Sequence, residues 1–122
     1  MNERLQWVEH QGQKILVVNF SRATREDIMP LLDDIQEVVS ESPDGSLLTL
    51  ADFTGIRVDK AMATRMKEVL ALDRPHVKRS AWVGTETLPK AFYDNFKSFS
   101  RREFPTFATR EEAMEWLVTD SE

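Results

Sequence analysis

The sequence predicts an α/β domain with a largely parallel sheet, and three observations predict it. After an N-terminal hairpin, strand-like and helix-like segments alternate, which requires crossover connections between strands. The run Ile15-Leu16-Val17-Val18 is continuously apolar, the pattern of a strand covered on both faces. No repeat, low-complexity tract or long linker divides the 122 residues, so a single domain over 1–122 is expected. A chain of this length buries roughly two-thirds of the surface that it exposes when unfolded, so it forms a core unaided.

Arg4 to Glu9 and Lys14 to Phe20 make the antiparallel hairpin, joined by His10-Gln11-Gly12-Gln13 with a glycine free to take positive φ. From Glu26 to Glu41 the residues Ile28, Leu31, Leu32, Ile35, Val38 and Val39 recur at helical spacing and form one buried stripe. A cap at Asp27 is predicted for this helix, with Ser21 to Glu26 as a turn, because Pro30 then falls in the first turn, where it costs no hydrogen bond. Ser42-Pro43-Asp44-Gly45 reverses the chain.

Ser46 to Leu50 is an apolar strand running into a polar turn with Asp52, Thr54 and Gly55. Asp59 then caps a helix from Lys60 to about Leu72 that buries Met62, Met66, Val69 and Leu70. Val77 to Gly84 is the next strand. Thr87 and Pro89 start a helix carrying Leu88, Phe92, Phe96 and Phe99, closed by Arg101 and Arg102. Phe104 to Phe107 is a short strand with a proline, and Thr109 with Glu112 caps a last helix carrying Ala113, Met114, Trp116 and Leu117. About four helices are expected in all.

Sixteen Lys and Arg against 21 Asp and Glu leave a net charge of −5, which argues against a general nucleic-acid binder and against attraction to anionic membranes. With no cysteine there is neither a disulfide nor a thiolate metal site, and His10 and His76 are far apart in the sequence. Neither a glycine-rich phosphate loop nor an HExxH motif occurs, so no cofactor and no metal are expected. The polar start of the chain and the lack of a run of about twenty apolar residues make a cytoplasmic protein without membrane insertion the expectation.

The stretches LLTLADFTG, VKRSAWVG (Val77 to Gly84) and FATREEAMEWL (Phe107 to Leu117), in this element order, resemble the SpoIIAA-like group, whose members are often labelled STAS/SEC14-like. The resemblance spans nearly the whole chain. It implies a sheet of successive βα units, shared in outline by bacterial anti-sigma-factor antagonists and Sec14-type lipid carriers. In the antagonists the strand ends in Asp-Ser-Ser-Gly, and a partner kinase phosphorylates the second serine. The matching positions here are Asp52, Phe53, Thr54 and Gly55, so Thr54 takes the acceptor position, Phe53 replaces the first serine, and the helix at Asp59 begins later than in the antagonists.

The resemblance implies a non-enzymatic regulatory or protein-interaction domain that meets a protein partner through the 52–59 loop, with Asp52, Thr54, Gly55, Arg57 and Asp59 as its site residues. Ordinary turn chemistry uses the same residue types, with Asp52 or Thr54 bonding nearby backbone amides and Gly55 at positive φ. The alternative is a small carrier or sensor of an apolar or amphipathic ligand, with Trp82, Phe92, Phe96 and Phe99 lining a pocket; core packing accounts for the same spacing. Arg74, Lys78, Arg79, Arg101, Arg102 and Arg110 make the second half locally basic, as a site for a phosphate-bearing ligand or acidic partner or as solvated helix ends. His76 lacks a second histidine or a nucleophile nearby in sequence, so no catalytic residue is expected. The sheet edges, at the Trp7 hairpin and at Phe104 to Phe107, suggest a homodimer.

Overall fold

The computed structural model describes residues 2–88 and 105–119. A five-stranded sheet runs in sequential order: β1 (Leu5–His10), β2 (Gln13–Asn19), β3 (Leu47–Asp52), β4 (Val77–Val83) and β5 (Thr106–Phe107). β1 and β2 are antiparallel, and every later pairing is parallel. The hairpin turn is the two residues Gln11 and Gly12, both at positive φ (50° and 79°), the geometry whose twist matches that of paired strands.

Three α-helices lie among the described residues: α1 (Arg25–Ser40), α2 (Lys60–Asp73) and α3 (Arg110–Val118). The helix expected after Thr87, with Phe92, Phe96, Phe99, Arg101 and Arg102, lies outside the described residues. Strands laid down in sequence and joined by crossovers of one hand place successive helices on the same face. Accordingly α1 and α2 share one face, packing Ile28, Leu31, Leu32, Met62 and Met66 with Leu16, Val18, Leu47 and Trp82. α3 covers the other face, with Ala113 and Leu117 against Ile15, Val17, Leu48, Leu50, Ala81 and Val83. The four central residues of β2 are thus split between two cores, as their unbroken apolar run requires.

The start of α1 departs from the sequence expectation. Thr24, and not Asp27, is the N-cap, and Pro30 lies inside the helix. The Thr24 hydroxyl accepts from the Asp27 amide (3.3 Å) while Asp27 Oδ2 accepts from the Thr24 amide (3.0 Å), a reciprocal capping box. Glu26 and Pro30 are both exposed, so the carbonyl that Pro30 cannot serve lies on the solvent side. β3 also runs two residues past Leu50. Asp52 is its last residue, paired with Asn19 and Val83, because its carboxylate finds partners without leaving the ladder.

Candidate functional site

In an open α/β sheet, ligands meet the carboxyl ends of the parallel strands, where the βα turns gather. Here that end carries the turn from β2 into α1, the Asp52 to Asp59 loop, Gly84 after β4, and the start of α3. The loop is built by alternating anchors and displayed residues. Phe53 turns inward, 2% exposed, stacked on Phe20 (centroids 5.1 Å apart, planes 11° apart) and tilted against Trp82 (4.7 Å). Ile56 is likewise buried, at 1% exposure. Thr54, Gly55 and Arg57, the residues between and after these anchors, are exposed.

Asp52 organises the polar side of the loop. Its Oδ1 accepts from the Thr54 amide (3.0 Å) and the Thr54 hydroxyl (2.6 Å), and its Oδ2 accepts from Arg110 Nε at the start of α3 (2.8 Å). Burial alone would raise the Asp52 carboxyl, but the bonds from Thr54 and Arg110 outweigh it and hold the group below the ordinary carboxylate range. The turn chemistry expected for Asp-x-Thr-Gly is therefore present, and Gly55 takes φ +69°. Because the Thr54 hydroxyl spends its proton on Asp52, it offers an outside group only lone pairs.

The far end of the loop is fixed by Asp59, whose Oδ1 accepts from the Met62 amide (2.8 Å) as the cap of α2. Its Oδ2 accepts from Arg25 Nη2 (2.6 Å). The Met62 amide and then Arg25 hold the Asp59 carboxyl below its usual range, and Asp59 in turn raises Arg25.

Two neighbours of Thr54 carry no signal in their residue types. Gly84 sits at φ +70°, and a β-carbon there would lie 2.6 Å from the Thr54 nitrogen and 2.8 Å from its Cα, and would collide with its hydroxyl oxygen. Arg22 takes left-handed φ (51°), a conformation costing a side-chain-bearing residue about 1–2 kcal/mol. Its amide donates to the Thr54 carbonyl (2.9 Å), and a β-carbon on Gly55 would lie 3.1 Å from Arg22 Cγ.

The structure brings Asp52, Thr54, Gly55 and Asp59 together with Arg22, Arg25, Gly84 and Arg110, and places Arg57 on the same exposed loop. Of the residues that make the second half locally basic, it sets Arg79 and Arg110 apart, while Arg101 and Arg102 lie outside the described residues. Arg110 serves Asp52, whereas Arg79 donates to the Trp116 and Thr119 carbonyls at the other end of α3 and lies 5.3 Å from the Trp116 ring. His76 is also remote, its Nδ1 bonding the Ser42 carbonyl (2.7 Å) at the opposite end of the sheet. Among the described residues, no group of three or more His, Cys, Asp or Glu is arranged to hold a metal ion.

Of the residues expected to line an apolar pocket, Trp82 does line a cavity of about 90 Å³ between the sheet and α1 and α2, beside Leu16, Val18, Leu32, Met66 and Val69. The Thr49 and Ser80 hydroxyls, 2.7 Å apart, form its one polar patch among the described residues. Phe92, Phe96 and Phe99 lie outside the described residues.

With this geometry in hand, comparison with known proteins decides the family, since the SpoIIAA-like family model matches residues 15–118. The chain belongs to the SpoIIAA-like family. A crystal structure of an uncharacterized protein from the DUF3478 family, with a SpoIIAA-like fold, from Shewanella loihica PV-4, superposes with a TM-score of 0.74. It shares 18% identity over 93% of this chain and 91% of its own, which establishes the SpoIIAA-like fold. No curated protein matches the chain. Among the described residues of this SpoIIAA-like domain, no helix is long and apolar enough to cross a membrane.

Proposed function

We propose that this SpoIIAA-like chain is a non-enzymatic regulatory or protein-interaction domain of the cytoplasm, and that its partner meets the Asp52 to Asp59 loop. One observation carries the reading. The loop is held at Asp52, Phe53, Ile56 and Asp59 while Thr54, Gly55 and Arg57 are displayed to solvent. A surface already fixed in shape avoids the entropy cost of ordering it on binding. The Thr54 hydroxyl donates to the Asp52 carboxylate, but the bonds from Thr54 and Arg110 hold that carboxyl below its ordinary range, which makes it a weak general base. Phosphorylation is optional in this reading. A phosphate on Thr54 would remove the hydroxyl proton from Asp52 and set nearly two negative charges beside that carboxylate, which changes the displayed surface without touching the core.

Capture of partners from the protein's own cell lysate by wild type, Thr54→Ala and Thr54→Glu tests the loop. Loss of specific proteins with Thr54→Glu, at unchanged circular dichroism, is the expected outcome. Identical partner sets from all three would contradict it.

The cavity supports a second reading, a carrier or sensor of a small apolar or amphipathic molecule whose polar group meets Thr49 and Ser80. At about 90 Å³ it is smaller than an engineered cavity of about 150 Å³ that holds benzene, so its ligand is small unless the helices part. Native mass spectrometry of protein from its own cells tests this, and repeated recovery of the bare chain mass counts against it. A homodimer through the β1 edge, where Trp7 is 43% exposed, is a further proposal that a monomer mass in light scattering at working concentration would remove.

A further inference from the structure

We infer that the 52–59 loop takes an acidic segment of a protein partner, held by the guanidinium groups of Arg22 and Arg57. This rests on the reading of the loop as the partner surface and adds the chemistry of what binds there. The inference comes from how this acidic chain uses its arginines. Arg4 pairs with Asp27, Arg25 with Asp59, Arg65 with Asp33 and Glu68, and Arg110 with Asp52. Arg22 and Arg57 are exposed and meet no carboxylate among the described residues, although the chain carries 21 acidic side chains against 16 basic ones. Both flank Thr54. The Arg22 side chain lies across Gly55, with Cγ and Nε 3.1 and 3.7 Å from where a β-carbon on that glycine would stand. Arg57 leaves the same loop from between buried Ile56 and half-buried Val58.

The Arg22 guanidinium is thus carried on a backbone tied to the loop by its amide bond to the Thr54 carbonyl (2.9 Å). A planar guanidinium fork matches a carboxylate in two-point contact, and two such groups on a held loop suit two acidic side chains of one short segment. The rest of the surface narrows the partner class. A net charge of −5 repels the extended phosphate arrays of nucleic acids and anionic membranes, while a local patch still attracts within a Debye length of about 8 Å. The exposed large apolar side chains of the described residues are Trp7 and Leu72, neither of them on this loop, so the patch has no apolar anchor to insert into a bilayer.

The test uses the whole chain and a fluorescent peptide in which glutamates alternate with small polar residues, beside the same peptide with glutamine for glutamate. The expected result is preferential binding of the glutamate peptide. Arg22→Glu/Arg57→Glu should weaken it about tenfold, each single change about threefold, and salt near 0.3 M should weaken it further. In ¹⁵N spectra, the Nε–H signals of Arg22 and Arg57 should move on titration while that of Arg65 stays. Arg22→Gln/Arg57→Gln, which removes the positive charges without adding negative ones, repeats the comparison if the reversal variant fails to fold. Equal binding of the two peptides, or equal binding by the arginine variants, overturns the inference. If the variants bind equally while Thr54→Glu still loses captured partners, the loop reading stands and only the acidic segment is wrong. Arginine-dependent binding of phosphatidylserine vesicles without binding of the peptide also overturns it, in favour of a membrane.

Discussion

Replacing Gly84 by alanine tests how closely the end of β4 holds the Thr54 loop, and its cost can be worked from the structure. Two effects add. At φ +70° the new side chain meets the left-handed penalty of about 1–2 kcal/mol. The β-carbon would also sit 2.6 Å from the Thr54 nitrogen and 2.8 Å from its Cα, and no rotamer change relieves an overlap with backbone. Restoring contacts of about 3.5 Å requires the loop to retreat by most of an ångström, against its ties to Asp52, Arg22 and Phe53, which places the overpacking cost at about 1–3 kcal/mol. Gly45→Ala is the control, because φ is +62° there and nothing lies within 4 Å of the added carbon. Urea unfolding of both variants should show Gly84→Ala the less stable by about 1–3 kcal/mol, with the Thr54 amide resonance shifted in Gly84→Ala alone. Equal losses with an unmoved Thr54 amide would refute the close approach.

Asp52→Asn should cost about 1.5–3 kcal/mol at neutral pH, since one carbonyl oxygen cannot accept from both Thr54 and Arg110. Because the folded Asp52 carboxyl lies below its unfolded value of about 3.9, its stabilisation is complete above that value and is lost as pH falls through the lower folded one. The gap between wild type and Asp52→Asn should therefore hold above about pH 5 and narrow below about pH 4, and a constant gap down to pH 2 or so would contradict this. Phe53→Ser restores the residue type of the antagonist motif and should destabilise by about 3–5 kcal/mol in urea melts, because it empties a buried aromatic position between Phe20 and Trp82. Pro30→Ala should raise stability by about 1–3 kcal/mol by restoring a bond to the Glu26 carbonyl, whereas a helix that began at Asp27 would gain little.

The elements were legible where the signal is local. Alternating segments and the Ile15 to Val18 run place the parallel sheet and the two-faced core, and Asp59 and Thr109 cap α2 and α3 as their sequence positions suggest. The start of α1 was not legible, because a proline rule and a capping box compete over the same few residues and the reciprocal bonds of Thr24 and Asp27 prevail. Within the site, Asp52, Thr54, Gly55 and Asp59 could be read from turn and cap chemistry. Arg22, Gly84 and Arg110 could not, since each meets the loop from thirty or more residues away: Arg22 through a backbone bond to Thr54, Gly84 through its missing side chain, and Arg110, 58 residues on, through Asp52. Phe53 looked like a departure from a motif. In the fold it is the anchor that lets its neighbours stay outside.

Hydrogen exchange of the chain alone and bound to a partner captured by wild type tests the central claim most directly. Slowed exchange is expected at the amides of residues 53–59, which follow β3, with β1 around Trp7 unchanged. Protection confined to the β1 edge, with the 53–59 amides exchanging as in the free chain, would contradict it.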